Sequence, residues 1–316
     1  MSLPGPLIAI VGPTASGKSA LAERIACELG TSIISVDAMQ VYRGMDVGTA
    51  KVPVADRHCP LLMVDVADIS DDYSVKLFQR DARCCVEQIL ARGKVPVLCG
   101  GTGLYLNAIV DDMRFPAGEA SSPRRVAYEA LLQREGADAL YEQLRQRDPK
   151  SADEIHPHNT RRVIRALELL DEGTSYATHH EGLKQLKPLY DVRVWGIETD
   201  RAQLYQRIER RVDEMFERGL VEEVMRLREQ GLAQTRTASQ AIGYKEVLQA
   251  LDGDVSMDRA REMVKTRTRR YAKRQLSWFR NDRRVRWIST TDMDGAATTI
   301  VLDLLQAAPP VSGTEG

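Results

Sequence analysis

Up to about residue 112 the chain alternates short apolar runs with amphipathic stretches. The runs at 7–11, 32–36, 61–66 and 95–99 are short, continuous and bounded by Gly, Pro or Asp. Continuous runs of this kind suit strands buried on both faces of a parallel sheet. Between them, 20–29 and 75–90 carry the helical period and stop near Gly30 and Gly93. Strand alternating with helix predicts an α/β fold in which helices flank a parallel sheet.

From about 114 to 187 the period becomes purely helical. SPRRVAYEALLQREG and ADALYEQLRQRDP each close on Gly or Pro, and NTRRVIRALELLDEG follows with Asn159 as a plausible N-cap. YDVRVWGIET then returns to strand character, so a helical insertion explains the order better than two successive domains. Helical patterns at 201–219, 220–231, 240–251 and about 257–280 complete the chain. The organisation predicted is an α/β core at 1–115, an all-helical insertion at 116–186, and the core resumed with a helical, basic C-terminal region at 187–308. The Pro/Gly-containing tail at 309–316 is expected to be disordered.

Composition changes this picture little. With 316 residues, 43% hydrophobic and 28% charged, the chain reads as an ordinary globular protein. Lys plus Arg (44) balances Asp plus Glu (45), so net charge does not separate nucleic-acid binders from the rest. The apolar run at 7–11 meets Gly12 and Pro13 far short of an export signal or a membrane span. Cys27, Cys59, Cys84, Cys85 and Cys99 form no C-x-x-C pattern, and the five histidines add no zinc-finger spacing. Free thiols in a reducing cytoplasm are expected, with no membrane association and a monomer as the default.

The chemistry begins at Gly12-Pro13-Thr14-Ala15-Ser16-Gly17-Lys18-Ser19, which fits G-x-x-x-x-G-K-[ST]. A strand precedes it and a helix follows. Glycines let successive N–H groups curl toward phosphate oxygens, and the helix start adds positive potential. Lys18 supplies a point charge, and Ser19 offers a hydroxyl to Mg²⁺. The loop predicts a diphosphate or triphosphate ligand without naming the rest of it. No N-K-x-D motif points to guanine.

Two carboxylates compete beside the loop. Asp37 ends IISVD and Asp65 ends LLMVD, each expected at the C-terminal edge of a strand, where ligands of such sheets sit. Pattern alone leaves them equal. In VLCGGTGLYL, Gly100, Gly101 and Gly103 surround Thr102; they argue for close backbone approach to a ligand, with a tight strand-to-helix turn as the other reading.

GPTASGKS, ISVDAMQVYRGMDVGTAK, GGTGLYLNAI, HPHNTRRVIRALELL, TASQAIGYKEVL and TRRYAKRQLSWFR together resemble the tRNA dimethylallyltransferase (isopentenyltransferase) family, bacterial type. The blocks run in family order from residue 8 to about 287. The resemblance implies a P-loop NTPase-like fold, dimethylallyl diphosphate as prenyl donor, the tRNA anticodon loop as acceptor, and Mg²⁺. It implies that 12–19 grip the leaving diphosphate, with Lys18 and Mg²⁺ on Ser19 stabilising its developing charge. It implies Asp37 as general base toward the adenine amine, Thr102 on the same amine, and Thr14 toward donor or acceptor. Asp65 then takes a structural or supporting role.

The acceptor base must be extruded to react. The resemblance assigns RNA contact to Asp37, Ala38, Met39, Gln40, Thr102, Arg161, Arg162, Val163, Ile164, Arg165, Gln240, Ala241, Ile242, Gly243, Tyr244 and Lys245. Gln40 has the amide to read an adenine edge; Ala38 stands where Ser is common in the family. Arg125, or Arg124 by a one-residue register shift, is implied to lie near the donor. From Arg259 to Arg286 twelve Lys or Arg face only Glu262 and Asp282, a segment suited to an RNA backbone, with Trp278 and Trp287 expected in the core. The competing readings are a P-loop kinase for a metabolite or nucleotide, an adenylate isopentenyltransferase, and a non-catalytic RNA-binding protein.

Overall fold

The computed structural model describes residues 3–115, 122–184 and 187–306. The predicted tail at 309–316 lies outside the described residues.

The chain divides into two units, Met1–Asp111 with Pro188–Gly316, and Asp112–Lys187. In the first, β1 (Leu7–Val11) leads into α1 (Lys18–Glu28), followed by β2 (Ile33–Val36), β3 (Leu61–Leu62), α2 (Val75–Ala91), β4 (Val97–Gly100) and α3 (Gly103–Val110). Among the described residues the sheet has six strands, ordered β3-β2-β4-β1-β5-β6, where β5 is Val192–Ile197 and β6 is Val285–Ile288. All pairings are parallel, with Ile10 opposite Cys99 on one side and Trp195 on the other.

β1 shows why continuous apolar runs are needed. Leu7, Ala9 and Val11 join the core on one face, Ile8 and Ile10 the core on the other. Each is 2% exposed or less, and burying a Leu, Ile or Val side chain contributes roughly 1.5–3 kcal/mol. α1 packs on the Ile8/Ile10 face; α2 and α3 contribute Phe78, Val86, Leu106 and Ile109 to the other.

The 61–66 run departs from its expectation. It is a strand only at Leu61–Leu62, because Met63 (φ 61°) and Asp65 (φ 56°) enter the left-handed region. Backbone N–H groups of Asp65, Val66 and Ala67 donate to Gln40 and Val41 instead of continuing the ladder. Asp65 therefore does not sit at a strand end.

With α4–α7 being the four helices of the second unit, the C-terminal part supplies α8 (Arg201–Glu217), α9 (Leu220–Glu229), α10 (Tyr244–Leu251), α11 (Met257–Arg280) and α12 (Met293–Gln306). α10 starts later than the helical period suggests: Ala238–Gln240 is a short 3-10 turn, and Gly243 (φ 97°) precedes the helix. β6 and α12 had no counterpart in the sequence reading. β6 is a charged, half-exposed edge strand, and α12 closes the Ile8/Ile10 core with Ala296, Ala297 and Ile300.

The second unit is helical throughout its described residues. Its first helix (Pro123–Arg147) joins the two predicted ones across a kink at Gly136 (φ 87°). Helices Pro149–Glu154, Thr160–Asp171 and Tyr176–Lys184 follow. Leu140, Leu144, Val163, Ile164 and Leu167 form its core. Asn159 holds the N-cap position of the third helix without a side-chain cap.

Candidate active site

The phosphate loop leaves the carboxyl end of β1, the strand hydrogen-bonded to β4 and β5. Ala15 (φ 62°) and Gly17 (φ 92°) both take left-handed backbone conformations, and Gly17 immediately precedes α1. For alanine this conformation is strained, as is common where a loop is shaped for a ligand. The buried Ser16 hydroxyl has no hydrogen-bond partner among the described residues. The Lys18 ammonium donates to the Pro13 carbonyl at 3.1 Å. Burial, with Arg211 nearby, holds its pKa below the usual lysine range, against the opposing pull of Cys99 and Asp37. Ser19 is exposed at the first turn of α1. An orphaned hydroxyl and a crowded lysine at a helix start suit an anionic ligand.

Asp37 follows β2. Its Oδ1 accepts from the backbone N–H groups of Met39 (2.8 Å) and Gln40 (3.3 Å), which fixes the carboxylate in a local turn. Its charge is felt at Lys18, Arg211 and Tyr271. Thr102 follows β4; its N–H donates to the Val36 carbonyl at 3.3 Å, while its buried hydroxyl lacks a partner among the described residues. The Tyr271 phenol on α11 lies against Thr102 and Gln275 and is pushed up to about 12, first by burial and then by the Asp37 charge. The Cys99 thiol beneath the loop is pushed up to about 11 by burial, while Lys18 and Ser19 oppose that shift.

The glycines beside Thr102 serve a purpose the sequence did not suggest. A Cβ on Gly100 would stand 2.0 Å from the Val36 carbonyl oxygen. On Gly101 it would stand 2.0 Å from the Gln275 amide nitrogen, and on Gly103 2.1 Å from the Trp278 indole. They admit the protein's own β2 and α11, not a ligand, so the close-approach expectation is corrected in its object.

Gln275 is a site residue that sequence reasoning missed. Only 5% exposed, it accepts from the Thr14 N–H (3.0 Å) and donates to the Gly101 carbonyl (2.9 Å). One amide thus braces the phosphate loop and the Thr102 turn together. Arg211 is a second. Burial lowers its pKa while Asp37 raises it, and it lines a cavity of about 730 Å³ together with Ala15, Arg57, Arg207 and Arg218. Nothing in the local pattern of α11 marks Gln275, and nothing in that of α8, one basic helix face among several, marks Arg211.

Asp65 is resolved differently from Asp37. It forms an ion pair with the buried Lys51 at 2.5 Å; Lys51 also holds Asp46 at 2.8 Å and the Tyr42 carbonyl at 2.6 Å. Glu223 of α9 gathers the same loop, accepting from the N–H groups of Asp46, Val47 and Gly48 and from the Tyr244 hydroxyl.

The residues assigned to RNA contact divide by exposure. Arg161, Arg162 and Gln240 are exposed; Ala38, Met39, Gln40, Arg165, Ile242 and Lys245 are half-buried. Val163, Ile164, Ala241 and Tyr244 are core side chains, Tyr244 at 0% exposure. The Gln40 amide is engaged internally, accepting from Ser35 (2.8 Å) and donating to the Thr49 carbonyl (3.1 Å). Gly243 answers to its positive φ, with its N–H donated to Glu246. Arg125, in the helical unit, pairs at 3.4 Å with the buried Glu168; Arg124 is exposed. Trp278 is 45% exposed, against the expectation of core, whereas Trp287 is partly buried against it.

The IPP transferase family model matches residues 40–282, and the isopentenyl transferase model matches 5–56. The chain is 45% identical over 296 residues to a tRNA dimethylallyltransferase of Geobacillus thermodenitrificans, covering 93% of each. The chain belongs to the IPP transferase family. Solved IPP transferase structures share its fold. The tRNA isopentenylpyrophosphate transferase of Bacillus halodurans matches at 40% identity and a TM-score of 0.71, over 96% of both chains. A eukaryotic dimethylallyltransferase acting on tRNA matches at 28% identity and a TM-score of 0.78, over 96% of this chain and 80% of that one. The six-stranded parallel sheet flanked by helices is thus the architecture the chain shares with solved members of its family, as the resemblance implied.

Among the described residues no cluster of three or more His, Cys, Asp or Glu could cage a metal, and no helix is long and apolar enough to cross a membrane. The donor set at the phosphate loop still fits Mg²⁺, which takes few protein ligands and relies on phosphate oxygens and water. The exposed Ser19 hydroxyl is the ligand available at the helix start.

Proposed function

We propose that the protein is a tRNA dimethylallyltransferase, moving a dimethylallyl group from dimethylallyl diphosphate to N6 of the adenine 3′ of the anticodon. The observation that carries this reading is the junction of three parts at one sheet edge. Gln275 braces the phosphate loop to the turn that carries the orphaned Thr102 hydroxyl, and the Thr102 N–H ties that turn to Val36, the residue before Asp37. A kinase needs the loop but has no use for that junction.

The chain's own groups account for the reaction. Backbone N–H groups of 15–18, Lys18 and Arg211 hold the diphosphate and stabilise the charge it gains as the allylic C–O bond breaks. Asp37, its Oδ1 pinned by two amides, takes the proton that leaves N6 as the new C–N bond forms. Thr102 orients the amine. Tyr271 and Tyr105, both with pKa values raised by burial, keep the wall of the site uncharged and exclude water. Ser19 would hold Mg²⁺, which when bound would supply Lewis-acid stabilisation of negative charge on the diphosphate.

In this reading the basic face of α11 and the exposed Gln240 contact RNA on the α/β unit, and the exposed Arg161 and Arg162 contact it on the helical unit. The protein acts as a monomer in the cytoplasm, where its five free thiols stay reduced. The experiment is direct. Labelled dimethylallyl diphosphate is offered with tRNA, with ATP or with AMP as the acceptor. Label in tRNA alone is expected; label in AMP, or ATP hydrolysis without prenyl transfer, overturns the proposal.

A further inference from the structure

We propose that Trp278 is a stacking platform for the unpaired RNA base next to the acceptor adenine, a role that rests on the function proposed above. The basic segment that carries it is less uniformly available than its sequence suggests. Lys265 pairs with Asp213 at 2.9 Å, Arg267 with Glu246, Arg269 with Glu209, Arg284 with Asp111 and Asp282, and Arg286 with Asp303. Those cations are engaged inside the protein. Arg270, Lys273 and Arg274 are exposed instead, and with Trp278 they recur at helical spacing along one side of α11. The other side, through Ala272, Gln275 and Phe279, is buried. A single exposed stripe therefore runs from three cations to one indole.

The indole is held in place. Gly103 lets its pyrrole atoms approach so closely that any Cβ there would overlap them. One residue earlier stands Thr102, assigned here to the acceptor amine. Arg274 lies over the Tyr271 ring at 5.6 Å, and Tyr271 itself touches Thr102. The indole is thus fixed on one side and open to water on 45% of its area, beside a row of exposed cations. The neighbouring cations select a polyanion with flat apolar faces. A single-stranded nucleic acid has that chemistry, and base–aromatic stacking tolerates any base. Extruding one adenine leaves its neighbour unstacked; Trp278 replaces the lost stacking partner.

The test uses the full-length enzyme and an RNA hairpin carrying an anticodon-type loop, together with versions abasic at each neighbour of the acceptor. W278A should raise KM for the hairpin by about ten- to a hundredfold and leave KM for dimethylallyl diphosphate unchanged. W278F should retain most of the wild-type RNA KM. Binding should quench the tryptophan emission of the wild type; W278F, which keeps Trp195 and Trp287, should lose that quenching. One abasic hairpin should bind wild type and W278A equally. An unchanged RNA KM in W278A, undiminished quenching in W278F, or a rise in donor KM instead would overturn the assignment and leave Trp278 as cover for Gly103. A wild type that prenylates no RNA overturns the proposed function itself, a separate outcome.

Discussion

Glu223 offers the sharpest test of how the loop beside Asp37 is held. Its carboxylate is 4% exposed and accepts N–H bonds from Asp46 (3.0 Å), Val47 (2.8 Å) and Gly48 (3.2 Å), plus the Tyr244 hydroxyl (2.5 Å). Three successive amides aimed at one anion make a backbone nest. Glu223→Ala removes every acceptor and leaves three N–H groups and a buried phenol unpaired. Each bond to a charged group contributes about 1.5–3 kcal/mol, but the carboxylate's own desolvation cost disappears with it. The expected net loss is ~3–5 kcal/mol, the range for breaking a buried charge network. Glu223→Gln behaves differently. With its oxygen turned toward Asp46 and Val47, it loses only the longest amide bond, and its NH₂ donates to the Tyr244 oxygen; ~1–2 kcal/mol is expected. Hydrogen exchange of the 45–51 backbone reads this locally. Glu223→Ala should speed it by roughly a hundred- to a few-thousandfold, and Glu223→Gln by roughly five- to thirtyfold. Prenyl transfer should fall in the same order, since this loop continues from Asp37–Gln40. Equal effects from the two substitutions, or a loss below ~1 kcal/mol for alanine, would refute the nest.

Asp37→Asn should abolish prenyl transfer while leaving tRNA affinity nearly unchanged, measured by single-turnover labelling beside filter binding; substantial turnover in the mutant removes the general-base role. Inorganic pyrophosphate should bind with net proton uptake on the alkaline side. Burial lowers the free Lys18 pKa and the bound anion raises it again, so affinity falls as pH climbs through the lowered value. Calorimetry in two buffers of different ionisation enthalpy reads that uptake, and Lys18→Met should lose it. Gly100→Ala should destabilise the fold strongly, because its Cβ would sit 2.0 Å from the Val36 carbonyl oxygen of a paired strand; a thermal midpoint equal to wild type contradicts the packing. Finally, tRNA affinity should fall steeply with salt, in proportion to the phosphates contacted, and a flat response rules out the basic face of α11 as the RNA surface.

The residues proposed to do the chemistry were legible because their signals are local. The phosphate loop must curl within eight residues, so its glycines, Lys18 and Ser19 appear together in the sequence. β1, β2 and β4 were legible for the same kind of reason: burial on both faces demands a continuous apolar run. The run at 61–66 has that composition too, yet Lys51 and the backbone of Gln40 and Val41 draw it out of the sheet after Leu62. β6 was not visible, since an edge strand exposed on part of its surface carries the charged Arg286 without penalty.

By itself, the sequence determined the phosphate cradle, the α/β order, the helical insertion and, through six motifs, the family. The family motifs favoured Asp37 over Asp65; only the tertiary structure showed that Lys51 folds back onto Asp65, while Asp37 is held by the backbone of Met39 and Gln40. Only it showed that the glycines around Thr102 make room for Val36, Gln275 and Trp278. And only it separated the cations of α11 into those paired at home and those left facing water. Each of these depends on which distant side chain arrives beside a residue, and local periodicity carries no record of that.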